Sequence, residues 1–366
     1  MPPASGTCNE DQGNGTEGAR VTRLEIFGPD RHDPEAVPVI ALAHNEANIL
    51  PDFLAHYRKI CRPTFLIVDD RSTDGTAELL ADQPDVTVFR PLPHSHFKTD
   101  KAAWRGEIMD ALCVDRWSLV PDLDEHFVPP VPLEDLLRDV DAEGAEVVLT
   151  LMVDMYGEMP LADHVYPDGS GRPLGDLFPF FDAPADFPEG YIMRPVTPKV
   201  LAANPSPPVI FNGGARHRIF YPKPQGAGPL ARWVVRHRFG LDRPVNARPS
   251  WLDVRVSRKL FSGSLNCTKL GLLKWQKGMR FAGGPHKADT PLRCSEAIAA
   301  FLHYPLTRGR AGVEYIAQRG QHADDSEHYK RLLDGGALER TPVYDGSKRY
   351  AGPESLRGLI RGVPGR

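Results

Sequence analysis

Three acidic clusters, each directly after a short apolar run, constrain this chain more than any other feature. VPVIALA (37–43) runs into His44-Asn45-Glu46, TFLIV (64–68) into DDRSTDGT (69–76), and the fourth apolar segment, WSLVPDLDE (117–125), carries Asp122-Leu123-Asp124-Glu125. Between them lie stretches with helical spacing. The first has Ile49, Leu50, Phe53, Leu54 and Tyr57; the second is TAELLADQ (76–83); residues 98–114 carry Ala103, Ile108, Ala111 and Leu112. VTVF (86–89) adds a third strand, LEDLLRDV (133–140) a helix and AEVVLTLMV (145–153) a fifth strand. Strands alternating with helices require crossover connections, so the expected class is α/β with a mostly parallel central sheet and helices on both faces. In such a sheet ligands gather beyond the carboxyl ends of the strands. All three clusters fall there.

Taken singly, each cluster is also what a helix start calls for. Ser72, Thr73 and Asp74 suit the N-terminus of the following helix, and carboxylates suit its positive end. Three acidic clusters at successive strand ends would repel one another without a cation or donor groups between them. On a strict strand Asp122 and Asp124 share a face. Such a pair can hold Mg²⁺ or Mn²⁺ through oxygen and leave coordination positions for water and a diphosphate.

Composition sets the outer limits. In 366 residues, 41% hydrophobic and 25% charged content is ordinary for a folded protein and excludes wholesale disorder. No apolar run reaches the ~18–20 residues of a membrane span. The opening MPPASGTCNEDQGNGTEGAR has neither the basic nor the apolar region of a signal peptide. Five scattered cysteines without a CxxC speak against a disulfide framework or zinc ribbon, and the expected location is the cytoplasm. Charge is uneven: residues 213–280 hold 15 Lys and Arg against 2 Asp and Glu, with Trp233, Trp251 and Trp275 among them. Phosphates, nucleic acid or an anionic membrane surface would suit that segment, as would a solvated basic face against the acidic half.

The second half is less regular. Residues 156–208 are rich in Pro, Gly, Asp and aromatics, as a lid or acceptor loop would be. VIFNGGARHRIF (209–220) reads as a turn and strand, and helices are expected at 295–303, 312–318 and 327–333. Residues 1–20 read as a disordered tail and 336–366 as a loose one.

The segments VIALAHNEANILPDFLAHY, FLIVDDRSTDGT and WSLVPDLDEHFV together resemble nucleotide-sugar glycosyltransferases of the GT-A fold, in the broad family 2 group. LTLMVDMYGEMPL, PFFD, FNGGAR, TKLGLLKW, GGPHK and FLHY resemble a bacterial subgroup of it, so the resemblance spans about residues 37–305. It implies a Rossmann-like GT-A domain with a nucleotide-sugar-binding half at 21–155 and an irregular acceptor-binding half at 156–335. The implied activity is transfer of a sugar from a nucleotide donor, UDP-linked, to a hydroxyl acceptor such as a glycan, lipid-linked saccharide or small molecule. Mn²⁺ or Mg²⁺ would assist. No nucleic-acid partner is implied, and peripheral contact with an anionic inner membrane face fits the basic segment. A nucleotidyltransferase of related fold, or an inactive nucleotide- or sugar-binding module, is the alternative.

The resemblance also assigns residues. Ala43, Asn45 and Glu46 line the nucleotide pocket. Asp70 contacts the base with Asp69 beside it, Asp74 supports that loop, and Lys101 touches the nucleotide. Asp122, Leu123 and Asp124 form the ribose and metal segment, with His303 completing the metal shell and His286 second in line. An inverting transfer also needs a carboxylate or imidazole to take the acceptor's proton. Many relatives supply it from an acidic pair after the metal segment, and this chain has no Glu-Asp pair between Asp154 and the tail. Asp154, Glu158 and Asp182 remain as candidates, with His286 as a base instead of a ligand.

Overall fold

The computed structural model describes residues 23–167, 169–182, 190–220, 229–260, 265–320, 326–334 and 336–365. The tail expected at 1–20 lies outside them. The strands are β1 (Leu24–Phe27), β2 (Val37–Ala43), β3 (Pro63–Asp69), β4 (Val86–Pro91), β5 (Trp117–Leu119), β6 (Glu125–Val128), β7 (Val147–Asp154), β8 (Phe180–Asp182), β9 (Ile192–Pro195), β10 (Val209–Asn212), β11 (Thr268–Lys274), β12 (Cys294–His303) and β13 (Ser347–Arg349). The helices are α1 (Leu50–Ile60), α2 (Thr76–Ala81), α3 (Phe97–Leu112), α4 (Leu133–Glu143), α5 (Leu174–Leu177), α6 (Pro198–Ala203), α7 (Gly214–Phe220), α8 (Pro229–Phe239), α9 (Trp251–Leu260), α10 (Gly309–Arg319) and α11 (Glu327–Asp334).

The protein is α/β. Nine strands form one sheet in the order β1-β4-β3-β2-β5-β11-β7-β12-β6, flanked by helices. β4, β3, β2, β5, β7 and β12 run one way, while β1, β11 and β6 run against them. β3 and β7 are buried at every position, which is why their sequences are continuous apolar runs rather than alternating ones. α1 buries Leu50, Phe53, Leu54 and Tyr57 on one stripe, starts with a proline in its first turn and ends with Arg58 and Lys59.

Four expectations need correction. Residues 295–303 are strand β12, not a helix: their alanines favour helix locally, but burial between β7 and β6 decides the outcome. Residues 209–220 are strand β10 followed by helix α7. WSLVPDLDE is not one strand, because β5 ends at Leu119, β6 begins at Glu125, and Asp122 to Asp124 form the turn between them. The C-terminal segment is packed, with Leu356 and Leu359 buried, β13 paired to β8, and Arg361 bridged to Ile298 of β12.

The second half enters the sheet directly, since β11 inserts antiparallel between β5 and β7. Gly271 makes that possible: a Cβ there would lie 2.5 Å from both Phe301 and the Thr150 hydroxyl. The same insertion carries Lys269 to the carboxyl edge of the parallel strands.

Candidate active site

The loops after β2 and β3 are laced together. Asn45 takes a left-handed backbone (φ 56°); its amide donates to Ser72 Oγ at 2.9 Å and its Oδ1 accepts the Thr73 amide at 2.8 Å. Asp74 accepts from the Ala47 amide at 3.1 Å and from the Thr76 hydroxyl at 2.6 Å. Ser72 and Asp74 therefore bind the two loops to each other, while the N-cap of α2 is Gly75, which brings no side-chain cap. Ala43 is buried, and its carbonyl accepts the Asp70 amide at 2.8 Å. Asp69 is fully buried with Arg90 at 3.7 Å, whereas Asp70 pairs with Arg71 at 2.9 Å and Arg319 of α10 at 3.9 Å.

α10 reaches across this edge. Arg308 pairs with Glu46 at 2.9 Å and donates to the Asn45 carbonyl at 3.0 Å, and Tyr315 Oη lies 3.4 Å from His44 Nε2. Burial pushes the Glu46 carboxyl up to about 8; Arg308 opposes this, and Asp124, Asp122 and Asp74 add to it. A cavity of about 440 Å³ opens beside the loops, lined by Asn45, Ala47, Asn48, Asp74, Gly169 and Arg308. Lys101 lies over the Phe97 ring at 4.9 Å; burial lowers its pKa against the pull of Asp122.

The DLDE turn splits its acids between two environments. Asp122 is ion-paired on both oxygens, to Arg105 at 2.6 Å and to Lys269 at 2.5 Å. Burial opposes its ionisation, yet Lys269 and Arg105 hold it well below the usual carboxylate range. Lys269 also contacts Glu125 Oε2 at 2.6 Å. Leu123 is buried. Asp124 points the other way, with its Oδ2 3.5 Å from His303 Nε2. The shared strand face expected for Asp122 and Asp124 is absent because a turn, unlike a strand, does not alternate.

Donor atoms of Asp124, Glu125 and His303 lie within 4.8 Å of one another. β6, β12 and β7 place Glu125, His303 and Asp154 side by side in register. His303 Nδ1 donates to Asp154 at 2.8 Å, the arrangement in which a carboxylate fixes the tautomer of a metal-ligating imidazole. Burial and Arg216 push His303 down, but Asp124 and Asp154 outweigh them and raise it to about 9. Glu125 Oε1 is buried with no hydrogen-bond partner among the described residues. One nitrogen, several carboxylate oxygens and an unsatisfied buried oxygen fit a hard divalent cation. Both oxygens of Asp122, expected as a ligand, are engaged by Arg105 and Lys269, and the clustered donor atoms are those of Asp124, Glu125 and His303.

Asp154 and Asp182, expected as catalytic acids, are both held in ion pairs. Asp154 accepts from Arg216 Nε at 2.6 Å and from the Arg216 amide at 3.1 Å, besides His303. The Gly213-Gly214 turn, with φ 125° and 79°, swings α7 into that contact; a Cβ on Gly213 would lie 2.1 Å from the Gly190 carbonyl. Asp182 is fully buried, gripped twice by Arg218 at 2.9 and 3.1 Å and by the Tyr156 hydroxyl at 2.7 Å. Glu158 is exposed beyond β7. His286 donates from Nδ1 to the Thr268 carbonyl at 2.6 Å, which leaves Nε2 as the acceptor; burial and Lys269 push it down to about 4.

Sequence reasoning passed over Lys269, Arg105, Arg216, Arg308 and Arg319. Lys269 had a signal, a lone cation in the apolar run TKLGLL, and Arg216 stood inside FNGGAR.

No protein-family model and no curated protein matches the sequence. Among solved structures, a putative glucose-1-phosphate thymidylyltransferase from Bacillus anthracis, in complex with a sucrose, aligns at a TM-score of 0.24 and 10% identity. The alignment covers 38% of this chain and 62% of that one, so this chain spans less than two thirds of that neighbour. At that TM-score it assigns no residue here.

Proposed function

We propose that this chain is a GT-A glycosyltransferase that moves a sugar from a UDP-linked donor to a hydroxyl acceptor. The observation carrying the reading is the convergence of Asp124, Glu125 and His303 beside Asp122 and the β2 and β3 loops, at one edge of the parallel strands. That edge is where an α/β sheet binds a nucleotide.

In this reading Asp70 accepts from the nucleobase, and Ala43, Asn45, Glu46 and Asp69 frame the pocket with Asp74 holding the loop. Asp122, kept ionised by Lys269 and Arg105, accepts from ribose hydroxyls beside Leu123, and Lys101 lies over the phosphates. Asp124, Glu125 and His303 would hold Mn²⁺ or Mg²⁺, whose charge would offset that of a diphosphate leaving group. Asp154 positions His303 and Arg216. With Asp154 and Asp182 committed to ion pairs, His286 takes the acceptor's proton at Nε2. The approach of a diphosphate raises the basicity of that imidazole by its negative charge.

Calorimetry with UDP, GDP and dTDP in the presence of Mn²⁺, followed by donor hydrolysis assays on the corresponding sugars, tests the reading. Tight binding of UDP with slow release of its sugar supports it. Absence of nucleotide diphosphate binding refutes it.

A further inference from the structure

The basic segment has an outward face that the transferase chemistry leaves unused. Residues 229–260 contain eight Lys and Arg against two Asp. α8 and α9 both seat on β9, and Arg238 of α8 pairs with Asp253 of α9 at 2.6 Å, which neutralises one of those acids. Inward, α8 buries Val235 and Phe239 against Ile192, and α9 buries Asp253 and Ser257. Outward, α9 presents Trp251, Arg255, Arg258 and Lys259, spaced i, i+4, i+7 and i+8 on a single stripe, all exposed. Trp251 is 73% exposed and Trp233 on α8 is 60% exposed, with the His237 ring 4.7 Å from Trp233.

On α9 an exposed indole shares one stripe with three exposed cations, and α8 exposes a second indole at Trp233. We infer that the outward faces of α8 and α9 dock on an anionic lipid bilayer surface. Indole rings settle at the headgroup level, and cations near the surface are drawn by anionic headgroups. A helix stripe is convex and does not offer the groove that tracks a nucleic-acid strand. Among the described residues no helix is long and apolar enough to cross a membrane, so the contact is with the surface alone. The inference stands independently of the transferase reading.

Co-sedimentation of the full chain with phosphatidylcholine vesicles, and with vesicles containing phosphatidylglycerol, tests it at low salt and at 1 M salt. Binding should require phosphatidylglycerol and should vanish at 1 M, where the screening length is about 3 Å. Trp251→Ala and the double variant Arg255→Glu/Arg258→Glu should each weaken binding by about tenfold or more. Their melting temperatures should match wild type, because all three side chains are exposed. Failure to bind phosphatidylglycerol vesicles at low salt overturns the inference, as does undiminished binding by both variants. Retention on duplex DNA without vesicle binding overturns it in favour of a nucleic-acid surface.

Discussion

Lys269 Nζ lies 2.6 Å from Glu125 Oε2 with neither side chain exposed, a buried ion pair beside the candidate metal ligands. Asp122 closes the group at 2.5 Å from the same nitrogen. Removing one partner of a buried pair leaves the other uncompensated. Lys269→Met should therefore destabilise the fold by about 3–5 kcal/mol in urea unfolding at pH 7. Adding Glu125→Gln should restore a large part of the loss. A single variant as stable as wild type would show that the pair contributes nothing.

The stacked rings of His56 and His126, 4.3 Å apart, set a pH dependence. Burial lowers His56 to about 4, and its Nε2 is engaged with the Phe127 carbonyl at 2.8 Å. Unfolded, a histidine titrates near 6.5, so between pH 6.5 and 4 the unfolded state binds the extra proton. Stability is full above that window and falls as the pH drops through it. His56→Gln should flatten the acid limb by up to about 1.4 kcal/mol per pH unit. Urea midpoints from pH 4.5 to 7.5 read this directly, and parallel curves would contradict it.

Much of the first half was legible because β2, β3, β4 and β7 are buried apolar runs and their helices carry a clear stripe. β12 was not, since Ala297, Ala299 and Ala300 say helix until β6 and β7 close around them. The site was half legible. The acids announce themselves after apolar runs, but their cations Lys269, Arg216 and Arg308 arrive from elements 62 to 263 residues away, a relation no local pattern carries. The DLDE turn shows the limit most clearly, since period-two reasoning fails where the strand stops.

Asp70 faces Arg71 and Arg319 at the mouth of the β3 loop. Asp70→Ala should weaken UDP binding by tenfold or more, about 1.4 kcal/mol, without lowering thermal stability. Calorimetry with UDP decides it, and an unchanged dissociation constant would remove Asp70 from the nucleotide site.

In the proposed reading the divalent cation sits on Asp124, Glu125 and His303, with Asp122 outside the set. Mn²⁺ titration of wild type, Asp124→Asn and Asp122→Asn, followed by electron paramagnetic resonance of free Mn²⁺, tests this most directly. Wild type and Asp122→Asn should bind one Mn²⁺ with similar affinity, while Asp124→Asn loses it. Loss of Mn²⁺ in Asp122→Asn with retention in Asp124→Asn, or no Mn²⁺ binding by wild type with UDP present, would contradict this metal site.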